Sequence, residues 1–175
     1  MSQTAKLAWR SADTPADIAA ALRLLESEYP ISEGGRGLKL KFVRIDEPET
    51  VSIVERNRGA VTIRYSSLAG ALRRVVSALA KLDGEERTPF EKLGIMLDLS
   101  RNMVMKVEHF KVWLRRMALA GCNEVQLYCE DTYELDDQPF FGAYRAPYSL
   151  EELQEMDDYA ADLGIELVAS IQTLG

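Results

Sequence analysis

The sequence predicts an α/β protein in two parts: a small α+β domain over residues 1–86, then, over 87–175, the first βαβαβ portion of a (β/α)8 TIM barrel. Three observations carry this. Strand-like runs start near Gly94, Glu124 and Ile165 with a helical stripe between each pair, and such crossovers make strands parallel. Within those runs one parity is apolar throughout: Ile95, Leu97 and Leu99, then Val125, Leu127 and Cys129, then Ile165, Leu167, Ala169 and Ile171. The other parity turns polar toward the C-terminal end, through Asp98 and Ser100, Tyr128 and Glu130, and Ser170 and Gln172. Side chains alternate across a strand, and a sheet with helices on both faces would be apolar on both. A barrel wall with a wet lumen fits better.

Taken in order, "KLAW" reads as a short strand. A helix follows, with Thr14 as N-cap, Pro15 at its first position and Ile18, Leu22 and Leu25 at helical spacing. "LKLKFV", "VSIVER" and "AVTIRY" are three short strands separated by Gly, Pro and Asn signals. A second helix is expected from Ser67 to Leu82 on the stripe Leu68, Leu72, Val75 and Leu79. The order βαβββα suggests a small sheet with its helices on one face. "SEGGRG" lacks the Lys-Ser/Thr ending of a phosphate loop and precedes a strand, so it reads as a plain turn. "DGEERTP" is polar and rich in turn formers, and marks the divide between the two parts.

Beyond it, "LGIMLDL" is a strand. Lys106 to Ala120 form a helix closed by Gly121, with Val107, Phe110, Leu114 and Met117 on one face. "EVQLYC" is the next strand. Ser149 and Glu152 make a capping box that opens a helix with Leu150, Leu153, Met156, Ala160 and Leu163 on its stripe. "IELVASIQ" is the third strand. A complete barrel takes about 250 residues, so only its first part is expected here. The third strand would then be an apolar edge through which the chain could self-associate.

Composition limits the function. The 175 residues carry a net charge of −7 with 47% hydrophobic residues, enough for a core. The acidity argues against nucleic acid or an anionic membrane as main partner. No apolar run is long enough for a membrane span or a signal core, so a cytoplasmic protein is expected. Cys122 and Cys129 have no metal-like spacing, and His109 is the only histidine. They read as reduced, partly buried thiols.

Barrel sites lie at the C-terminal strand ends, where Asp98, Glu130, Asp131 and Gln172 fall. The connection Asp131 to Tyr148 exceeds an ordinary turn and carries Tyr133, Phe140, Phe141, Tyr144, Arg145 and Tyr148. Aromatics beside carboxylates suit a sugar, its C–H face on a ring and its hydroxyls on the acids. Two readings stay open: sugar contacts, or solvated loop charges with aromatics that pack the loop down. Asp98 and Arg101 could equally form a structural ion pair, or Arg101 could hold the two parts together.

"GIMLDLSRNMV", "NEVQLYCEDTYEL" and "YAADLGIELVASIQTLG", in this order and spacing, resemble the start of the catalytic barrel of glycoside hydrolase family 20, the β-N-acetylhexosaminidases. "VTIRYSSLAGALRRVVSALAKL" resembles the strand and helix leading into it. The resemblance implies exo-hydrolysis of terminal N-acetylglucosamine or N-acetylgalactosamine with retention, and neither metal nor cofactor. Such enzymes are substrate-assisted exceptions to the two-carboxylate scheme. The substrate's acetamido oxygen attacks the anomeric carbon, an Asp orients it, and the adjacent Glu is the general acid. That pair follows the fourth barrel strand, so it is expected beyond Gly175 and this chain alone is expected to be inactive.

By the same resemblance, Asp98 and Arg101 occupy the Leu-Asp-x-Ser/Ala-Arg positions. Tyr128 stands where many members have His, and Asp131 matches an Asp three residues later. Leu93 replaces an Arg that grips sugar hydroxyls, and Ser170, Gln172 and Leu174 replace Glu, Asp and Pro, which marks a divergent branch. The substrate-binding candidates are Asp98, Arg101, Tyr128, Glu130, Asp131 and Gln172, with a carbohydrate ending in N-acetylhexosamine as partner. The alternative is a non-catalytic carbohydrate-binding or assembly domain.

Overall fold

The computed structural model describes residues 5–47, 50–101 and 104–172. Leu174 and the ends of two quoted motifs, including Asn102 and Met103, lie outside the described residues. The first half contains β1 (Leu7–Trp9), a 3-10 turn (Ser11–Asp13), α1 (Ala16–Leu25), β2 (Ile31–Glu33), β3 (Leu38–Arg44), β4 (Thr50–Asn57), β5 (Ala60–Tyr65), α2 (Leu68–Leu79) and β6 (Gly84–Thr88). The second half contains β7 (Gly94–Asp98), α3 (Val107–Ala120), β8 (Glu124–Cys129), α4 (Leu150–Asp162) and β9 (Glu166–Ile171).

The first sheet has six strands in the order β2-β1-β3-β5-β4-β6. β1 pairs parallel with β2 and β3, β3 runs parallel to β5, and β4 is antiparallel to β5 and β6. Strand alternation sends Leu7, Trp9, Leu40, Phe42, Val61, Ile63 and Tyr65 to one buried face. α1 and α2 cover that face, as expected. The opposite face, with Lys39, Lys41 and Arg64, stays exposed.

Two strands of this sheet escape the sequence reading. β2 is only three residues long, and β6 is the polar "DGEERTP" taken for a divide. β6 is an edge strand whose charges are tied up with neighbours: Glu86 meets Arg74 at 2.6 Å and Glu85 meets Arg87 at 2.5 Å. Charged edges discourage further pairing, so polarity here marks a sheet edge rather than a linker. A division after residue 86 falls inside β6. The first helix also begins one residue later than expected. Pro15, at φ −53° and ψ 144°, is itself the N-cap, and Thr14 makes no side-chain cap bond. α2 holds its whole stripe but ends earlier than expected, at Leu79 instead of Leu82, with Lys81 at φ 60°.

The second sheet is parallel, in the order β7-β8-β9, with Ile95, Val125 and Leu167 in register. α3 ends where expected, at Gly121 with φ 90°. The capping box forms as expected: Glu152 N donates to Ser149 Oγ at 3.2 Å, and Ser149 N to Glu152 Oε2 at 3.0 Å. The alternation is clearest in the central strand, where Val125, Leu127 and Cys129 are buried and Gln126, Tyr128 and Glu130 are half-buried. On the outer strands it relaxes, because Ile95 and Ile171 sit at open edges and are 37% and 45% exposed.

The two halves share one core. α2 packs on α3 and α1 reaches α4, and Leu72, Phe110, Leu114 and Met156 belong to a single buried apolar cluster with both sheets. Gly164 closes α4 at φ +69°, where a Cβ would lie 2.7 Å from Leu68 Cδ2. A side chain there would crowd Leu68 at the start of α2, and the positive φ itself favours glycine. Within the described residues, no helix is long and apolar enough to cross a membrane.

Candidate functional site

The parallel register brings the C-terminal ends of β7, β8 and β9 side by side, and five of the six candidates meet there. Asp98 ends β7. Its Oδ1 accepts from the backbone N–H groups of Ser100 at 3.0 Å and Arg101 at 3.1 Å. Its Oδ2 accepts from Arg101 Nη1 at 3.0 Å. These bonds, those from the Ser100 and Arg101 backbone first and then the guanidinium, hold the Asp98 carboxyl below its ordinary value. Asp98 is therefore a fixed, ionised acceptor at neutral pH and not a proton donor.

Arg101 is turned across the sheet toward β8. Its guanidinium lies 5.0 Å from the centroid of the Tyr128 ring, a cation–π contact, and Nη2 reaches the Tyr128 hydroxyl at 3.5 Å. That hydroxyl lies 3.2 Å from Glu130 Oε1 and 3.3 Å from Gln172 Oε1. With one proton to give, it serves one acceptor at a time. Loss of solvent and the neighbouring Glu130 carboxylate push the Tyr128 phenol up, so it stays protonated. The chain Asp98–Arg101–Tyr128–Glu130/Gln172 thus ties all three strands together on the face of the second sheet that carries the polar parity. It does not tie the two halves together through Arg101.

Asp131 is the exception. Its Oδ1 lies 3.4 Å from Arg145 Nε without a well-formed hydrogen bond, at the root of the connection between β8 and α4. Arg145 Nη1 donates to Ser100 O at 2.5 Å. A Cβ on Gly142 would stand 2.4 Å from Asp131 O, so the loop folds tightly over this point. The loop closes by pairing Tyr133 with Tyr148: Tyr148 N donates to Thr132 O at 3.0 Å and Glu134 N to Tyr148 O at 2.9 Å. Tyr148 is 3% exposed and donates its hydroxyl to Met105 O. Burial pushes that phenol up to about 12. Tyr133 stacks edge-on against Phe141 with ring centroids 5.2 Å apart. The aromatics thus divide into packers, Tyr133, Phe141 and Tyr148, and an exposed tip, Phe140 and Tyr144, which are 90% and 102% exposed.

Ser100 is the residue sequence reasoning passed over. It is 1% exposed, its Oγ accepts from Glu130 N at 2.7 Å, and its carbonyl takes Arg145. It fastens β7 to β8 and to the loop. The available signal was its parity with Asp98, one step beyond the strand. Leu93 and His109 lie elsewhere: Leu93 precedes β7 at its N-terminal end, and His109 is exposed on α3, accepting from Trp113 Nε1 at 3.2 Å. Both cysteines are buried, and burial pushes each thiol up.

Chemically, the site offers fixed acceptors, a guanidinium and a phenol on an open polar surface, a set suited to hydroxyl-rich ligands. Among the described residues no serine or cysteine here is hydrogen-bonded to a side-chain base; the Ser100 hydroxyl accepts from a backbone amide, Glu130 N. No group of His, Cys, Asp and Glu that could hold a metal occurs among the described residues.

No protein-family model matches the chain. No curated protein matches it. Solved structures do. An N-acetyl-β-hexosaminidase from Streptomyces plicatus, in complex with thio-NAglucal, is 19% identical at a TM-score of 0.67 over 97% of this chain and 42% of its own. A family 20 exo-β-N-acetylglucosaminidase from Vibrio harveyi, in complex with N-acetylglucosamine, is 17% identical at 0.65 over 97% of this chain and 33% of its own. A β-N-acetylhexosaminidase from Bacteroides fragilis is 17% identical at 0.66 over 96% of this chain and 40% of its own. The chain therefore has the fold of the corresponding part of these enzymes and spans between a third and two fifths of their length. The resemblance read from the motifs holds at the level of fold.

Proposed function

We propose that the chain is the N-terminal portion of a retaining, exo-acting β-N-acetylhexosaminidase of the family 20 type. Residues through β6 form its N-terminal α+β domain, and the remainder begins the (β/α)8 catalytic barrel. The observation that carries this is the linked set Asp98, Arg101, Tyr128, Glu130 and Gln172 across the C-terminal ends of three parallel strands, where barrel sites form. The fold likeness to three hexosaminidase structures supports it.

In this reading β7, β8 and β9 are the first three barrel strands, and their polar face is the lumen. Asp98 and Glu130 accept hydrogen bonds from sugar hydroxyls, Arg101 donates to them, and Gln172 does either through its amide. Tyr128 holds Arg101 and Glu130 in place. Asp131 positions the β8–α4 loop through Arg145 rather than touching sugar. The acid and the acetamide-orienting carboxylate come from a later strand. The barrel also explains the half-exposed Ile95 and Ile171, which further helices and strands would cover.

The test is hydrolysis of an aryl N-acetyl-β-glucosaminide by the protein made from the whole reading frame that contains this chain, compared with residues 1–175 alone. The longer protein should turn over and the shorter should not, because general acid catalysis is missing from it. Turnover by the purified short chain, or inertness of the long one toward both glucosaminide and galactosaminide, would overturn the proposal. A non-catalytic carbohydrate-binding or assembly domain would then be the better reading, favoured by the open edges of β7 and β9.

A further inference from the structure

The open face of the first sheet carries a feature that hydrolysis does not use. β2 and β3 flank β1 and both run parallel to it, so the short link from Gly34 to Gly37 must cross β1. It crosses on the face away from the helices, over Ala8, which is only 8% exposed there. The "SEGGRG" run is thus a crossing rather than a plain turn, and its glycines are needed. A Cβ on Gly37 would stand 2.5 Å from Lys6 O, and Gly34 has φ +65°.

The crossing walls one side of a cleft of about 990 Å³, with the β4–β5 turn at Arg58 on the other side and β3 between them. Arg10, Arg36, Lys39, Lys41 and Arg58 line this cleft, against the acid Asp13 among the lining residues described. All five cations are exposed. None of them forms an ion pair among the described residues, whereas Arg73, Arg74, Lys92, Lys111 and Arg115 all do. Lys39 and Lys41 share one side of β3, about 7 Å apart. In a chain of net charge −7, this is a local concentration of uncompensated positive charge in a concave surface.

We propose that this cleft binds an anionic polysaccharide, one carrying sulfate or carboxylate groups along its length; the choice of a glycan rests on the carbohydrate reading above. The cations come from the residue after β1, from β3 and from a turn on either side of it. These separate elements present several charges along the cleft and so match a polymer with spaced charges rather than a single phosphate. Single-stranded nucleic acid is another flexible polyanion, and its binding uses aromatic platforms for the bases. The aromatics lining this cleft, Trp9 and Phe42, are 1% and 8% exposed and face the core.

The test is fluorescence anisotropy of a labelled heparin octasaccharide titrated with the chain across a range of salt concentrations, with chitohexaose and oligothymidylate as competitors. Saturable binding that weakens with salt is expected. Lys39→Gln/Lys41→Gln should weaken it about tenfold or more and flatten the salt dependence. Lys81→Gln, exposed and outside the cleft lining, should leave it unchanged, chitohexaose should not compete, and oligothymidylate should compete more weakly than unlabelled heparin. Thermal melting checks that the strand variant folds, and Arg58→Gln in the turn serves if it does not. No saturable binding, an unchanged affinity in the variants, or oligothymidylate binding as tightly as heparin would each overturn the proposal. Hexosaminidase turnover is scored separately, so loss of the family reading leaves a heparin result standing, and the reverse.

Discussion

Replacing Arg145 with methionine should free the loop between β8 and α4 while leaving both sheets intact. Nη1 of Arg145 donates to Ser100 O at 2.5 Å, and Nε lies 3.4 Å from Asp131 Oδ1. Ser100 is 1% exposed, so its carbonyl loses a partner that water replaces only in part. A hydrogen bond from a charged donor is worth about 1.5–3 kcal/mol. The ion pair adds little, since its side chains are 42% and 38% exposed and such pairs contribute roughly 0–1 kcal/mol. Discounted for that exposure, a loss of about 2 kcal/mol is expected, equivalent to a rise of roughly 30-fold in loop opening. Native-state hydrogen exchange reads this at two amides bonded across the loop base, Glu134 N and Tyr148 N. Both should exchange about 30-fold faster, while the amides of Leu127 and Phe110 keep their protection. Unchanged loop amides, or equal acceleration everywhere, would refute the assignment of Arg145 as the anchor.

Three further outcomes follow from the same contacts. The Asp98 carboxyl is held below its ordinary value by the Ser100 and Arg101 N–H groups and the Arg101 guanidinium. Its stabilising effect is therefore present above the unfolded value near 3.9 and is lost as pH falls through the lower folded value. The gap in denaturation midpoint between the native chain and Asp98→Asn should be full at neutral pH and close in strong acid. In the longer protein, Tyr128→Phe should lower kcat/KM about tenfold by loosening Arg101 and Glu130 without moving the acid limb of the pH profile, which the proposed mechanism assigns to another residue. Phe110, fully buried in the cluster that both halves share, should cost about 3–5 kcal/mol on replacement by alanine, seen as one denaturant transition in which both sheets melt together.

Much of this fold could be read from periodicity and capping. α3 and α4 were legible because an apolar stripe, a capping box at Ser149 and a closing Gly121 all agree. β8 was legible because a central strand has one wet face and one dry one. Elements that owe their pairing to distant partners were hidden. β2 has only three residues, and β6 is a string of charges that becomes a strand because β4 needs a partner and Arg73 and Arg74 neutralise Glu86. The site divides in the same way. Asp98, Tyr128, Glu130 and Gln172 follow from strand parity and strand ends. Asp131, next to Glu130 in sequence, points away because β alternation continues past the strand and Arg145 draws it into the loop. Nothing in the local sequence links Arg145 to Ser100, 45 residues away. The basic cleft was equally invisible, since its cations come from the residue after β1, from β3 and from two turns.

The most direct measurement of the proposed chemistry is one-dimensional ¹H NMR of the sugar released by the longer protein from an aryl N-acetyl-β-glucosaminide, recorded before mutarotation. Substrate-assisted retention predicts that the β-anomer of free N-acetylglucosamine appears first and the α-anomer grows in only afterwards. First appearance of the α-anomer, or release of a chitobiose unit instead of the terminal sugar from a longer substrate, would contradict a retaining exo-acting enzyme built on this chain.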